Sequence, residues 1–261
     1  MKLYCCQTDI TWENKTANYA RVHKLLAAAK PERDSLVLLP EMFSTGFSMD
    51  VPAIQEGAKA ETEKFLAQLA KDLGVFVIGG VVTTAPDGRG YNQALVVGPN
   101  GSPLARYSKM QPFSLGGESK NYMAGEQPVF FSWQELKVSP FICYDLRFPE
   151  VFRAAVRGGA QLFTVIANWP IARIHHWVTL LQARAIENQA YVAGVNRCGT
   201  DPKFTYNGRS VIVDPHGTIL VEAGDSECII SADISPDVVT KWRNDFPALQ
   251  DMRPVAKAAS Y

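Results

Sequence analysis

Apolar runs of strand length recur along the chain, at 2–8, 35–39, 75–83, 91–98, 103–108, 138–144, 160–168, 190–196, 210–214 and 227–234. Several place apolar residues consecutively instead of alternating them with polar ones, the pattern of strands buried on both faces. Between them lie segments with helical spacing, at 13–30, 61–73, 149–158, 173–189 and 236–250. In 173–189, for example, Ile174, Trp177, Leu180, Leu181, Ala185 and Ile186 share one helix face. Turn signals carrying Gly or Pro stand at "PDGRG" (86–90), "GPNGS" (98–102) and "DPHG" (214–217). Helices alternate with strands in the first and third quarters, whereas hairpins dominate 75–108 and the region after 205. That mixture predicts an α/β sandwich with mixed sheets. No linker-like tract, charge block or internal repeat divides the sequence, so 1–261 reads as a single domain.

Composition narrows the class of partner. The chain has 261 residues, 47% of them hydrophobic, which is ample for a substantial core. Its 26 basic residues balance 26 acidic ones, so net charge favours neither nucleic acid nor an anionic membrane surface, and a small molecule is the expected partner. "MKLYCCQTDI" lacks an apolar h-region and a cleavage site, and no apolar segment approaches the roughly 18 residues that span a bilayer. A cytoplasmic location follows as the expectation. Five cysteines (Cys5, Cys6, Cys143, Cys198, Cys228) without framework spacing fit reduced thiols. The absence of Cys-x-x-Cys argues against a zinc knuckle or a dithiol redox site.

In open α/β sheets ligands gather where strands end, and three strand ends carry chemistry. "VLLPEMF" leaves its apolar run at Glu41, "ARYSKMQPF" at Lys109 and "FICYD" at Cys143. A cysteine inside a strand is most often a small hydrophobe, and a lone Glu or Lys is most often a solvated surface charge. Together the three types make a base, an electrophile and a nucleophile. A thiol near its free pKa is mostly protonated at neutral pH, so a base such as Glu41 would activate it. An ammonium such as Lys109 would stabilise an oxyanion formed at an attacked acyl carbon. Spacing alone does not establish that the three meet.

The segments "LLPEMFSTGFSM", "YSKMQPF" and "ICYDLRFPE" resemble the three signature segments of the nitrilase superfamily of carbon–nitrogen hydrolases. The resemblance continues through 167–197 and 208–220 to 246–253, and is greatest to the ω-amidase branch, which cleaves the terminal amide of α-keto acid amides such as 2-oxoglutaramate. It implies a four-layer αββα sandwich, a homodimer joined through helical faces (149–158 and 173–189 would suit) and no metal or organic cofactor. It also implies a Glu41–Lys109–Cys143 triad, with a further glutamate at Glu118, or else at nearby Glu126. Cys143 would form a thioester with Glu41 as base, and Lys109 with a backbone N–H near Tyr144 would hold the oxyanion. The substrate carboxylate suits a guanidinium, with Arg173 the first candidate. Arg147 is expected to pair with neighbouring carboxylates and, with Asp145, to brace the turn after Cys143. Phe43, Tyr144 and Trp169 are the expected apolar walls.

Two positions depart from the resemblance. Gln111 stands where the family often has histidine, and Arg209 stands where the ω-amidase branch commonly has an acid. The same triad would also serve a nitrilase, an N-carbamoyl amide hydrolase, an acyltransferase or a deaminated-glutathione amidase. A cysteine–histidine hydrolase using His175 or His176, and a binding protein that keeps the pocket without turnover, are the readings outside that group. Cys198, just beyond a strand, is the thiol expected to compete with Cys143. The 114–127 loop, with Gly116, Gly117 and Gly125, is a candidate gate.

Overall fold

The first strand, β1 (Lys2–Gln7), shows why the apolar runs are continuous. Leu3 and Cys5 enter one hydrophobic core while Tyr4 and Cys6 enter another, as alternate residues of a strand covered on both faces must. The computed structural model describes residues 1–253; 254–261, included in the single unit read from the sequence, lie outside the described residues. After β1 come α1 (Lys15–Ala29), β2 (Leu36–Leu38), α2 (Val51–Ile54), α3 (Glu61–Leu73), β3 (Phe76–Thr84), β4 (Gly90–Val97) and β5 (Pro103–Ser108). The middle of the chain adds α4 (Glu118–Asn121), β6 (Phe131–Trp133), β7 (Leu136–Ile142), α5 (Pro149–Arg157), β8 (Leu162–Ala167), α6 (Ile174–Asn188) and β9 (Tyr191–Asn196). Then follow β10 (Cys198–Thr200), β11 (Thr205–Asn207), β12 (Val211–Val213), β13 (Ile219–Glu222), β14 (Cys228–Asp233) and α7 (Pro236–Asp245).

Two six-stranded mixed sheets result, with orders β14-β1-β2-β3-β4-β5 and β13-β12-β9-β8-β7-β6. Parallel pairing links β1, β2 and β3 in the first sheet and β7, β8 and β9 in the second, and the remaining pairs are antiparallel. One core lies between the sheets, joining Leu36, Leu38, Ile78 and Val96 to Val138, Phe163 and Val192, and it continues beneath α5 and α6. A second core fastens α1 and α3 to the other face of the first sheet through Val22, Leu26, Leu66 and Leu69. The architecture is the expected αββα sandwich.

Each of the ten apolar runs contains a strand. The short strands β6, β10, β11 and β13 carry too few residues for a period to register. Helix ends follow local chemistry. The side chain of Asn14 accepts the N–H of Ala17 and starts α1 at Lys15 instead of residue 13. α7 stops at Asp245, short of the expected 250, because Pro247 follows and cannot donate to a continuing helix; a 3-10 turn, Ala248–Asp251, replaces it. Among the described residues, no helix is long and apolar enough to cross a membrane.

Candidate active site

Four strand exits converge at one end of the sandwich. Glu41 follows β2, Lys109 follows β5, Cys143 follows β7 and Asn168 follows β8. At Cys143 the backbone turns left-handed, with φ 47°, a conformation uncommon outside glycine and frequent at functional sites. The turn swings the thiol out of the strand line, and a 3-10 helix, Cys143–Arg147, begins there. Its first N–H groups have no acceptor within the turn. Met42, just after Glu41, is left-handed as well, with φ 43°. The backbone of β3 runs close beneath it: a Cβ on Gly80 would lie 2.1 Å from the Met42 nitrogen, so only glycine allows this approach.

The charged side chains form a closed cluster. Lys109 Nζ donates to Glu41 Oε1 at 2.9 Å and to Glu118 Oε2 at 2.8 Å, and the three residues are 0–1% exposed. Asn92 Nδ2 donates to both acids, at 2.7 Å to Glu41 Oε1 and 2.8 Å to Glu118 Oε1. The backbone N–H of Asn168 donates to Glu41 Oε2 at 2.9 Å, and that of Phe113 to Glu118 Oε2 at 2.6 Å. Charges this deep persist only when paired and hydrogen-bonded throughout. Burial works to raise the Glu41 carboxyl, but the Lys109 ammonium and the bonds from Lys109, Asn92 and Asn168 outweigh it and hold the group below its ordinary range. Burial likewise opposes the charge on Lys109, and the two carboxylates reverse that effect and raise it well above normal. The Cys143 thiol is pushed well up by burial and then by the Glu41 charge, with Lys109 only partly compensating. A neutral thiol therefore rests beside an ionised acid and an ammonium. Its Sγ lies 3.8 Å from the Asn168 carbonyl.

Cys143 and Lys109 border a cavity of about 430 Å³ counting its open mouth. Tyr144 and Trp169 are walls, together with Phe47 and Phe113, and Phe204 and Tyr206 close the far side. Both Arg147 and Arg173 reach the cavity. Arg147 lies over the Trp169 ring at 4.7 Å and Arg173 over Phe113 at 5.7 Å.

Several expectations need correction. Phe43 does not line the cavity: it packs in the core with Tyr19 and Phe65, and Phe47, four residues on, takes the wall position. Arg147 pairs with no carboxylate among the described residues; its Nη2 lies 3.2 Å from His176 Nδ1. Asp145 does brace the turn, through donors from Tyr107, Gln111 and Ile142. Cys198 is buried, burial pushes its thiol up to about 12, and it does not line the cavity as Cys143 does. His175 and His176 meet edge to face outside the cavity lining. Of the two candidate second glutamates, Glu118 joins the cluster while Glu126 lines a separate surface groove. The 114–127 segment is tied down by Glu118, by a bridge between Gly90 and Tyr122, and by the Gly125 N–H on the Lys109 carbonyl. Arg209 pairs with Glu222, away from the cavity. Asn92 and Asn168 escaped notice, although a polar residue within "YNQALVVG" and another at the exit of "AQLFTVIAN" were signals of the same kind as Glu41.

The family model for carbon–nitrogen hydrolases matches residues 2–244. An ω-amidase from Yersinia enterocolitica is 39% identical over 96% of each chain. A 2-oxoglutaramate amidase from Bacillus subtilis is 34% identical over 95% of this chain and 96% of that one. Among solved structures, a carbon–nitrogen hydrolase superfamily protein from Xanthomonas campestris superposes with a TM-score of 0.89 at 30% identity over 99% of each chain. An amidase from Nesterenkonia sp. AN1 superposes with a TM-score of 0.84 at 27% identity, over 97% of this chain and 94% of that one. The chain belongs to the carbon–nitrogen hydrolase family and, within it, to the ω-amidase branch.

Proposed function

We propose that the protein hydrolyses the terminal amide of an α-keto acid ω-amide such as 2-oxoglutaramate, through a thioester on Cys143, with release of ammonia. The observation that carries this reading is a cavity lined by Cys143 and Lys109, with Glu41 and Glu118 paired to that lysine behind its floor, and by Arg147 and Arg173, which pair with no carboxylate among the described residues. The substrate's carboxylate would lie against Arg173, with Arg147 beside it, where bidentate charge-assisted bonds are strongest. Its amide carbon would then face Cys143. As the S–C bond forms, Glu41 takes the thiol proton, and Lys109 with the Tyr144 N–H receives the negative charge that develops on the amide oxygen. Glu41 returns that proton to the nitrogen as the C–N bond breaks, and ammonia leaves. Water then attacks the thioester while giving a proton to Glu41. Collapse expels the Cys143 sulfur, which regains the proton, and the carboxylic acid departs. Glu118 keeps Lys109 charged and fixed throughout.

Ammonia release from 2-oxoglutaramate, succinamate, an aliphatic nitrile and an N-carbamoyl amino acid tests this reading. Turnover of the first two is expected, with a mass shift on Cys143 matching the acyl group in trapped protein. No ammonia from either would sink the proposal. We also read the chain as one catalytic unit that works in the cytoplasm as a homodimer through the outer faces of α5 and α6. Ile186 of α6, 55% exposed, supports that surface. Light scattering on the purified protein checks it, and a monomer mass would refute it.

A further inference from the structure

Lys109 and Cys143 leave different sheets, β5 being an edge of the first and β7 lying next to an edge of the second. Their spacing is therefore set by whatever ties the two strand ends together. One carboxylate does so. Asp145, fully buried, accepts the Tyr107 hydroxyl at 2.8 Å and the Ile142 N–H at 2.9 Å on Oδ2, and the Gln111 N–H at 2.8 Å on Oδ1. Tyr107 and Gln111 flank Lys109 by two residues on either side, and Ile142 immediately precedes Cys143. The Tyr107 oxygen in turn accepts the Met110 N–H at 3.3 Å, which leaves its own proton for Asp145. We infer that Asp145 is a positioning residue that sets the Lys109 ammonium against the Cys143 thiol, and that it does so only as a carboxylate.

The donor set gives the reason for the second clause. All three partners donate in this arrangement, so an acceptor-only carboxylate satisfies them, whereas a carboxylic acid would turn an O–H toward the Ile142 or Gln111 amide, which cannot accept it, or would have to reverse the Tyr107 hydroxyl and lose that donor. Tyr107 and Lys109 are the titratable groups facing it from the β5 side, and the Ile142 and Gln111 amides complete its shell. Arg184 of α6 bonds the carbonyl of Leu146, the residue after Asp145, at 2.7 Å. Burial outweighs the donors and the Lys109 charge, and lifts the Asp145 carboxyl to about 7. The proton on this group is thus exchanged in the neutral range. Glu41, held below its ordinary range, would ionise at far lower pH.

Stability and activity should then move in opposite senses. The folded pKa lies above the unfolded value, so this group's contribution to stability is full below the unfolded pKa and lost as pH rises toward 7. Turnover rises over the same interval as the brace forms.

The inference rests on the proposed roles of Cys143 and Lys109, and a pH profile of kcat for the wild type, Tyr107→Phe and Asp145→Asn separates the two. Wild type should show an acid limb near pH 7. Tyr107→Phe removes one donor to the charged form, so its limb should move to higher pH with KM nearly unchanged. Asp145→Asn should lose the limb and roughly 10²-fold in kcat, the scale of a small misplacement of reacting groups. If the asparagine variant does not fold, the first two proteins carry the test. A limb at the same pH in wild type and Tyr107→Phe would overturn the inference while an inactive Cys143→Ala protein left the triad standing. A Cys143→Ala protein that still releases ammonia would remove both.

Discussion

At the floor of the cavity Lys109 is clasped between Glu41 and Glu118, and Asn92 ties the two acids together. At the rim Arg147 and Arg173 rest on aromatic faces, and no carboxylate pairs with either among the described residues. Burial, then the charge of Arg173, holds the Arg147 guanidinium below its ordinary range. The floor is electrostatically complete before substrate arrives, which is what stabilising a transient oxyanion requires. The rim is incomplete, and an arriving anion would relieve it. Changes at the floor should therefore act on kcat, and changes at the rim on KM.

The largest effect should come from the floor's nucleophile. Cys143→Ala is expected to lower turnover by at least about 10⁴-fold, because residues acting as one unit lose nearly everything together. Ammonia release under saturating substrate measures it. Glu41→Gln comes next, with an expected loss of about 10²–10⁴-fold in kcat, the usual worth of a positioned general base. Iodoacetamide should also label Cys143 more slowly in that variant. A histidine mechanism predicts the reverse, with His175→Ala or His176→Ala inactive and Glu41→Gln active, and kcat for the three variants decides between them.

Rim substitutions should be milder and of a different kind. Arg173→Ala removes a charge-assisted contact and should raise KM for 2-oxoglutaramate about 10- to 100-fold, leaving kcat nearly unchanged. An uncharged amide of similar length should show no such change. Equal losses on both amides would mean that the rim supports the fold of the cavity and does not recognise the acid, and the contrast between rim and floor would fail.

The same division decides how much could be read from the sequence. Part of the floor was legible, because a charged residue or a thiol directly after a strand-length run is a local anomaly, and Glu41, Lys109 and Cys143 each make one, whereas Glu118 followed only from the family resemblance. The two sheets were legible for a related reason, since strands buried on both faces leave unbroken apolar runs. Asn92 was hidden because its burial depends on Glu41 and Glu118 closing over it from other parts of the chain. The rim depends on side-chain direction, which strand and helix periods do not encode. Arg147 sits in a turn that begins with a left-handed residue, and nothing local says whether its guanidinium faces a carboxylate or a cavity. Phe43 and Phe47 flank another irregular turn, and there the expectation chose the wrong ring.

That pair gives the last and finest test. Phe43 is 1% exposed and packed with Tyr19 and Phe65, so Phe43→Ala should cost about 3–5 kcal/mol of stability, as large-to-small changes in a core do. Its KM should stay near the wild-type value. Phe47 is only partly buried, its ring 5.2 Å from Lys109 Nζ, and with Phe204 it lines both the cavity and a second space bordered by Trp12, Leu115 and Lys203. Phe47→Ala should change the unfolding midpoint little but join the two spaces, so that a branched amide is taken relatively better than the straight-chain one. Denaturant melts and the ratio of kcat/KM for the two amides measure both variants. If Phe43→Ala altered the ratio and Phe47→Ala did not, the wall of the cavity would have to be redrawn around the first ring.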